Sequence, residues 1–291
     1  RADAIVRKYA KGCPRIHLAE YAENRGKTAA LMDTLRRVDP AVEIIVFSDA
    51  NGIYSKDAIR KLVRHFADEE VGAVAGELRY VSSGAESRYR TYENWLKRAE
   101  SDLGSCLVAE GSIFAARREL IPNVDPTFIE DLVIPLHIAL RGYRVIYEPS
   151  AVSEERFELD WKGQYRRRRR IVNRSIRSLQ AVPGAINPIA GGTVAIRFIS
   201  HRVMRWLSPI FFFTAISLGF LTLMIRSAAA VFGLVSLIYS IAVVAGLLLD
   251  RRYGRSIFTV PYYFLLNNLA ILSGLMSVLL GSKIVRWVPE R

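Results

Sequence analysis

Two oxygen-bearing side chains, Asp49 and Asn51, stand just past an unbroken apolar run, Ile44, Ile45, Val46 and Phe47. Such a run reads as a central parallel strand buried on both faces, and ligands of open α/β sheets bind outside the carboxyl ends of the strands. Mg2+ or Mn2+ takes hard oxygen donors, often one or two carboxylates with substrate phosphates completing the shell, so a sparse pair of this kind suits such a cation. Ser48, Asp49 and Asn51 are also turn formers, and a plain strand-end turn remains open. A second pair of acids, Glu130 and Asp131, stands where a helix is predicted to begin, a place where carboxylates are stabilising in any case. Farther on, Arg166 to Arg170 are five consecutive arginines. They cover every face of a helix, so they cannot all meet one ligand, and some suit an anionic lipid surface.

The elements that must position these groups alternate. A helix is predicted at the start of the chain, from Ala2, Ile5, Val6, Tyr9 and Ala10, and a short strand at Arg15 to Ala19. A helix over Lys27 to Val38 leads into the apolar strand at Glu43 to Phe47. A further helix runs from Ser55 through Phe66, and Val71 to Ala75 and Glu77 to Val81 read as short strands. The helix around Tyr89 to Leu103 places Tyr92, Trp95, Leu96 and Ala99 on its buried side. Strands follow at Ser112 to Ala116 and Tyr143 to Tyr147, with a helix over Asp131 to Leu140 between them, closed by Gly142. The alternation predicts an α/β domain, doubly wound around a mostly parallel sheet.

The chain carries a formal net charge of +13 and 51% hydrophobic residues over 291 positions, with a mean hydropathy of +0.16. The apolar excess concentrates late. Pro183 to Gly192 reads as a linker, and Val194 to Trp206 sets Arg197, His201, Arg202 and Arg205 among apolar residues, which suits a helix in a membrane interface. Beyond it, Leu207 to Ile225, Ala228 to Leu249 and Ile257 to Leu280 approach or exceed the ~20 apolar residues that span a bilayer. The cluster Asp250, Arg251, Arg252 and Arg255 belongs on the cytoplasmic side with the basic domain. Three full spans would put Lys283, Arg286 and Arg291 outside, so the third stretch, with Pro261, Asn267 and Asn268, reads as re-entrant or interfacial unless its weak tail charge is overruled. Cys13 and Cys106 lack metal-ligand spacing, and a reduced cytoplasmic compartment is expected. His65 and His137 follow helix interiors and read as structural. The expected divisions are 1–182, a domain whose first strands are missing; 183–206, linker and interfacial helix; 207–281, membrane helices; and 282–291, a basic tail.

Four motifs in order, RGKTAAL at Arg25 to Leu31, SDAN at Ser48 to Asn51, IED at Ile129 to Asp131 and QYRRR at Gln164 to Arg168, together resemble the inverting family 2 glycosyltransferases. The similarity is to the membrane-anchored, GT-A type branch related to cellulose, chitin and hyaluronan synthases. It implies a nucleotide-diphosphate sugar as donor, with Lys27, Asp49, Gln164 and Arg167 at the nucleotide sugar, and Asp49 with Asn51 at Mg2+ or Mn2+. Asn51 replaces the second acid of that metal element. The same resemblance makes Asp131 the base that takes the acceptor proton, with Glu130 supporting it, and places Glu110 and Gly111 beside the acceptor. Arg168 occupies the position where processive synthases carry Trp, which argues against a processive polymerase.

The expected activity is transfer of one sugar, with inversion, to a hydroxyl of a lipid-linked or otherwise membrane-proximal saccharide acceptor. The expected location is the inner (plasma) membrane, multi-pass, with the catalytic domain cytoplasmic and in contact with membrane lipids. A processive polysaccharide synthase and a non-catalytic scaffold binding anionic lipid or an acidic partner are the alternatives. The arginine run lacks the aromatic platform expected of a nucleic-acid site, and no nucleic-acid partner is expected.

Overall fold

The computed structural model describes residues 2–81, 85–156, 161–224, 230–253 and 259–284. In chain order the elements are α1 (Ala2–Gly12), α2 (Lys27–Arg37), β1 (Ile44–Ser48), β2 (Ile53–Tyr54), α3 (Ala58–Val63), β3 (Val71–Tyr80), α4 (Ala85–Asp102), β4 (Ile113–Arg117), α5 (Glu130–Leu140) and β5 (Arg144–Glu155). They are followed by α6 (Trp161–Ser178), α7 (Pro188–Phe198), a π-turn at Ile199–Val203, α8 (Met204–Met224), α9 (Ala230–Tyr253) and α10 (Thr259–Leu279).

The sheet runs β1-β4-β3-β5-β2. The α/β class holds, but the strand directions correct the expectation of a mostly parallel sheet: β3–β5 is parallel, while β1–β4, β3–β4 and β2–β5 are antiparallel. The reason lies in the return of the chain after α4. Residues 103–112 cross to the edge where β1 ends, so β4 starts there, opposite Ser48, and runs back between β1 and the first half of β3. Alternating side chains then face opposite layers. Ala73, Ala75, Phe114 and Ala116 join Met32, Leu132, Ile134 and Leu136 on one face. Val74, Ile113 and Ala115 join Leu62 and Phe66 on the other. Strand β1 lies at the edge of the described sheet and buries only Phe47 fully, stacked on Phe114 at 4.2 Å between ring centroids. It is not the doubly buried strand that its sequence suggests.

Other expectations change too. Arg15 to Ala19 forms no strand and is largely exposed. The two short strands at Val71 and Glu77 are one, β3, whose register shifts at Gly76/Glu77. Within the expected linker, Asn187 caps α7 by accepting from the Ile189 and Ala190 N–H groups, with Pro188 at its first position, which is the ordinary chemistry of a helix start.

The larger correction concerns α4 and the basic segment after it. Tyr92 and Trp95 are exposed, at 49% and 63%. The inward face instead carries Glu93, Leu96, Lys97 and Glu100. These acids take up the cations expected to meet lipid: Glu93 pairs with Arg202 at 3.3 Å and with Arg205. His201 Nδ1 lies 2.8 Å from Glu100. Arg197 donates to the carbonyls of Glu100, Leu103 and Ser105, closing the carboxyl end of α4. Arg202 and Arg205 hold Glu93 at about 2 against the opposing effect of its own burial. The 197–205 segment is thus bolted to the domain by charge.

Among the described residues, two runs, Pro188–Thr222 and Val260–Leu279, are long and apolar enough to cross a membrane by length and composition, and Val231–Gly246 is a shorter apolar run. Helix α10 follows α6 closely. Gly274 meets Val172, Asn173 donates to Ser277 at 2.7 Å, and Arg177 donates to the Ser282 carbonyl. Arg226, Arg255, Arg286 and Arg291 lie outside the described residues. Glu93→Gln is expected to lower the thermal unfolding midpoint of the full chain sharply, because removing one side of a buried ion pair costs about 3–5 kcal/mol. Trp95→Ala on the exposed face of the same helix should leave that midpoint unchanged.

Candidate active site

Helix α2 opens at Gly26, whose φ of 85° lies in the left-handed region, and Asn24 Oδ1 accepts from the Gly26 N–H at 3.0 Å. This turn aims the first helical side chain, Lys27, across the edge where β1 ends. Lys27 Nζ lies 2.6 Å from Asp49 Oδ1 and 3.1 Å from Glu130 Oε1, and it donates to the Gly111 carbonyl at 3.3 Å. The other face of the same peptide segment serves Asp131, because the Gly111 N–H donates to Asp131 Oδ2 at 2.9 Å. A Cβ on Gly111 would sit 2.7 Å from Lys27 Nζ and 3.0 Å from Asp131 Oδ2. Glycine is therefore what lets one segment serve an ammonium and a carboxylate at once. One edge of the sheet thereby gathers Lys27, Asp49, Gly111, Glu130 and Asp131.

The two neighbouring acids of α5 differ in character. Burial opposes the charge of Glu130, but Lys27 and the Thr28 hydroxyl, 2.7 Å away, hold it below the ordinary carboxylate range. Asp131 is pushed up to about 7, first by burial and then by the charge of Glu130, with Lys27 opposing. Lys27 is itself raised above its ordinary value: burial is outweighed by Glu130, Asp131 and Asp49. One acid is thus a fixed anion and its neighbour is poised to exchange a proton near neutrality, a division of labour that suits acid–base chemistry.

Asn51 lies exposed in the turn after β1, and the Gly52 N–H closes that turn on the Asp49 carbonyl at 3.2 Å. Among the described residues no group of three or more His, Cys, Asp or Glu side chains is placed to hold a metal ion. Asp49 and Asn51 offer an oxygen-only, incomplete donor set. Glu110, expected at the acceptor, is instead taken up by Arg90 at 2.5 Å and by Lys97. Its side chain is 15% exposed, so it anchors the Gly111 segment to α4 rather than lining an open pocket. Arg167 donates to the Tyr80 hydroxyl at 3.1 Å and, with Gln164, lines a cavity shared with α10.

Three contributors have no assigned part in the sequence reading. Thr28 is fully buried beneath Glu130. Arg174 donates to the Thr28 hydroxyl at 2.8 Å and to the Phe128 carbonyl. Its position seven residues past Arg167, two helical turns along, is the signal that places both on one side of α6. Glu155, at the end of β5, is raised by burial and by the charge of Asp49.

A family model described as "Glycosyl transferase family 2" matches residues 1–124. That match takes in less than half of the chain. The matched span takes in Lys27, Asp49 and Gly111 and stops short of Glu130 and Asp131. An N-acetylglucosaminyltransferase from Azorhizobium caulinodans is 29% identical over 171 residues, 52% of this chain and 42% of that protein. A poly-beta-1,6-N-acetyl-D-glucosamine synthase from Staphylococcus aureus is 27% identical over 141 residues, 45% of this chain and 34% of that protein. The alignments thus span less than half the length of these relatives. Among solved structures, the mannosyltransferase PcManGT from Pyrobaculum calidifontis, in complex with GDP-Man and Mn2+, aligns with a TM-score of 0.65 at 23% identity, covering 95% of this chain and 73% of that one. This likeness shows the fold alone, a GT-A type mixed sheet flanked by helices. Gly111→Ala in this domain is expected to keep the far-UV circular dichroism of the wild type. Soaked or titrated nucleotide sugar should bind at least tenfold more weakly, because Lys27 and Asp131 must both give way.

Proposed function

We propose that the protein is a membrane-bound inverting glycosyltransferase that moves one sugar from a nucleotide-diphosphate sugar to a hydroxyl of a lipid-linked or membrane-proximal acceptor. The observation that carries this reading is the Lys27 ammonium between Asp49 and Glu130, with Asp131 held beside it on the Gly111 N–H. A diphosphate bound at the strand-end edge meets a cation there, and the acceptor meets a carboxylate that titrates near neutrality. In the proposed step the acceptor oxygen forms a bond to the anomeric carbon while the carbon–oxygen bond to the diphosphate breaks. The hydroxyl proton goes to Asp131 and the electron pair leaves with the nucleoside diphosphate. A single in-line displacement of this kind inverts the anomeric centre. Glu130 keeps Lys27 charged and oriented, and Arg167, whose charge reaches Glu155 together with that of Asp49, adds positive potential on the diphosphate side, where Gln164 can donate a neutral hydrogen bond.

Asp49, one-third exposed, and Asn51 fit Mg2+ or Mn2+ as a minority of its oxygen ligands, the remainder coming from the diphosphate. Bound there, the cation would offset charge on the departing group. The outward apolar side chains of α8 and α9, among them Phe211, Phe232, Val235, Ile241 and Leu248, each more than half exposed, form a surface suited to lipid rather than water. They support the division of the chain into a catalytic domain over 1–182 and a membrane region over 207–281, and the basic charge of the domain favours the cytoplasmic face of the inner membrane. Helix α10, laid along α6, favours the interfacial reading of the third stretch. The basic segment within 183–206 serves as a charged dock as well as a linker.

The kinship to a polysaccharide synthase favours a second reading, processive extension. Against it stands Arg168, stacked 4.6 Å over the Tyr89 ring and paired with Glu86, where a sugar platform would be needed. The family 2 match argues against a non-catalytic scaffold.

Turnover of a panel of nucleotide sugars by the full chain with Mn2+ tests the proposal. Asp131→Asn should lose about 10²- to 10⁴-fold in rate while still binding nucleotide; unchanged turnover removes Asp131 as the base. The wild-type rate should rise with pH through about 7 as Asp131 ionises. The stability dependence runs the other way. The folded state holds this proton after the unfolded chain has lost it, so ionisation costs stability as pH rises from 3.8 to about 7. Asp131→Asn should therefore gain thermal stability relative to wild type across that interval, and a constant difference would contradict the assignment.

A further inference from the structure

The inward stripe of α4 carries a lysine, Lys97, only 1% exposed, between Glu93 and Glu100. An ammonium so shielded from water is costly without an anion. The two acids on its own helix are engaged elsewhere: Glu93 pairs with Arg202 and Arg205, and Glu100 with His201. Lys97 instead reaches across to Glu110 Oε1, in the segment that returns the chain to β4. Arg90, two helical turns earlier on the same side of α4, donates to that same oxygen at 2.5 Å. Burial pushes the Glu110 carboxyl up, and Arg90 and Lys97 nonetheless hold it below its ordinary range.

What Glu110 anchors is a peptide plane. Its carbonyl and the Gly111 N–H belong to one planar unit, and the two ends have separate duties. The carbonyl accepts from the Ile113 N–H at 3.0 Å, where β4 begins. The N–H donates to Asp131 Oδ2 at 2.9 Å. One residue earlier, the Ala109 N–H donates to the Asp131 backbone carbonyl at 2.9 Å. Residues 109–111 therefore grip Asp131 by both its backbone and its carboxylate. In this Ala-Glu-Gly segment only Glu110 has a side chain long enough to be held from α4. Release of that side chain frees the plane to turn, and a turn swings the N–H off Asp131.

We propose that Lys97 is a positioning residue for the transfer step, acting through Glu110 and the Glu110–Gly111 peptide to fix the orientation of the Asp131 carboxylate. The inference rests on the transferase reading above and adds to it a residue whose burial keeps it out of contact with donor and acceptor. The donor side feels little of its loss, because Lys27 keeps Asp49 and Glu130 as partners wherever the Gly111 carbonyl lies. Loss of Lys97 is therefore felt in the rate of the chemical step rather than in donor affinity. Misplacing a reacting group by about 1 Å can cost about 10²-fold.

The full chain is assayed with Mn2+ and the nucleotide sugar that it turns over. Lys97→Met is expected to lower kcat about tenfold to 10²-fold and to leave donor KM within about twofold. Glu110→Gln should do the same. The double variant Lys97→Met/Glu110→Gln should be no slower than the slower single one, because both act through one peptide. It also keeps the test open where Lys97→Met fails to fold, since removing both partners leaves neither charge unpaired by the other; its kcat must fall too. On top of Asp131→Asn, Lys97→Met should cost less than about twofold more. An unchanged kcat, a loss confined to KM, or a full further loss in the Asp131→Asn background overturns the inference. The Gly111 N–H supplies a readout independent of turnover. Glu-Gly occurs once in the chain, at 110 and 111, so carbonyl-labelled glutamate with amide-labelled glycine isolates its NMR signal. Lys97→Met and Asp131→Asn should each move that signal, and a signal that Lys97→Met leaves in place sinks the assignment. A moved signal with unchanged turnover makes Lys97 a structural clamp only and overturns the positioning role. Wild type that turns over no nucleotide sugar while the signal still moves removes the transferase reading alone.

Discussion

Lys27 Nζ lies within ion-pair reach of carboxylates from β1 and α5, and it fits there because Gly111 has no side chain to displace it. Three parts of the chain distant in sequence are fixed by that one ammonium. Without it, Glu130 and Asp131 would be adjacent acids in a shielded place, and like charges so close cannot both ionise at low cost. With it, Glu130 stays an anion and the tendency to hold a proton falls on Asp131. The uneven titration of two neighbours follows from which of them faces the lysine.

Much of this was legible in the sequence because the deciding residues belong to short local patterns. The apolar run before Asp49 marks a strand end, and the acids at 130 and 131 mark a helix start, so both arrive at edges where sheets bind ligands. The gathering of Lys27 with both was implied by family resemblance and appears in the fold as contact. The strand directions were not legible. Alternation of strands and helices suggests parallel pairing, and nothing in Ile113 to Arg117 signals that residues 103–112 have already carried the chain across the sheet. The role of Glu110 was hidden for a similar reason: its partners, Arg90 and Lys97, lie on a helix whose inward face is charged.

That helix shows where hydrophobic periodicity misleads. In α4 the aromatic residues Tyr92 and Trp95 face outward and Glu93, Lys97 and Glu100 face inward. An acidic inward stripe is costly unless cations meet it, and the cations come from more than a hundred residues later, at Arg202 and Arg205. Read separately, one segment looks like a helix with an aromatic buried face and the other like a basic helix on lipid. Each pattern is explained only by the other, and together they join the α/β domain to the first long apolar helix through charge.

The π-turn at Ile199–Val203 sits at the centre of this junction and sets the angular phase of α8. A wide turn accommodates one more residue than the α-helical repeat, which advances every later side chain by about 100° around the axis. In and just after this turn, His201 reaches Glu100 while Arg202 and Arg205 converge on Glu93. A chain one residue shorter here would keep its composition and its hydropathy. It would nevertheless rotate the whole of α8 relative to the domain, presenting a different stripe of that helix to α9 and α10.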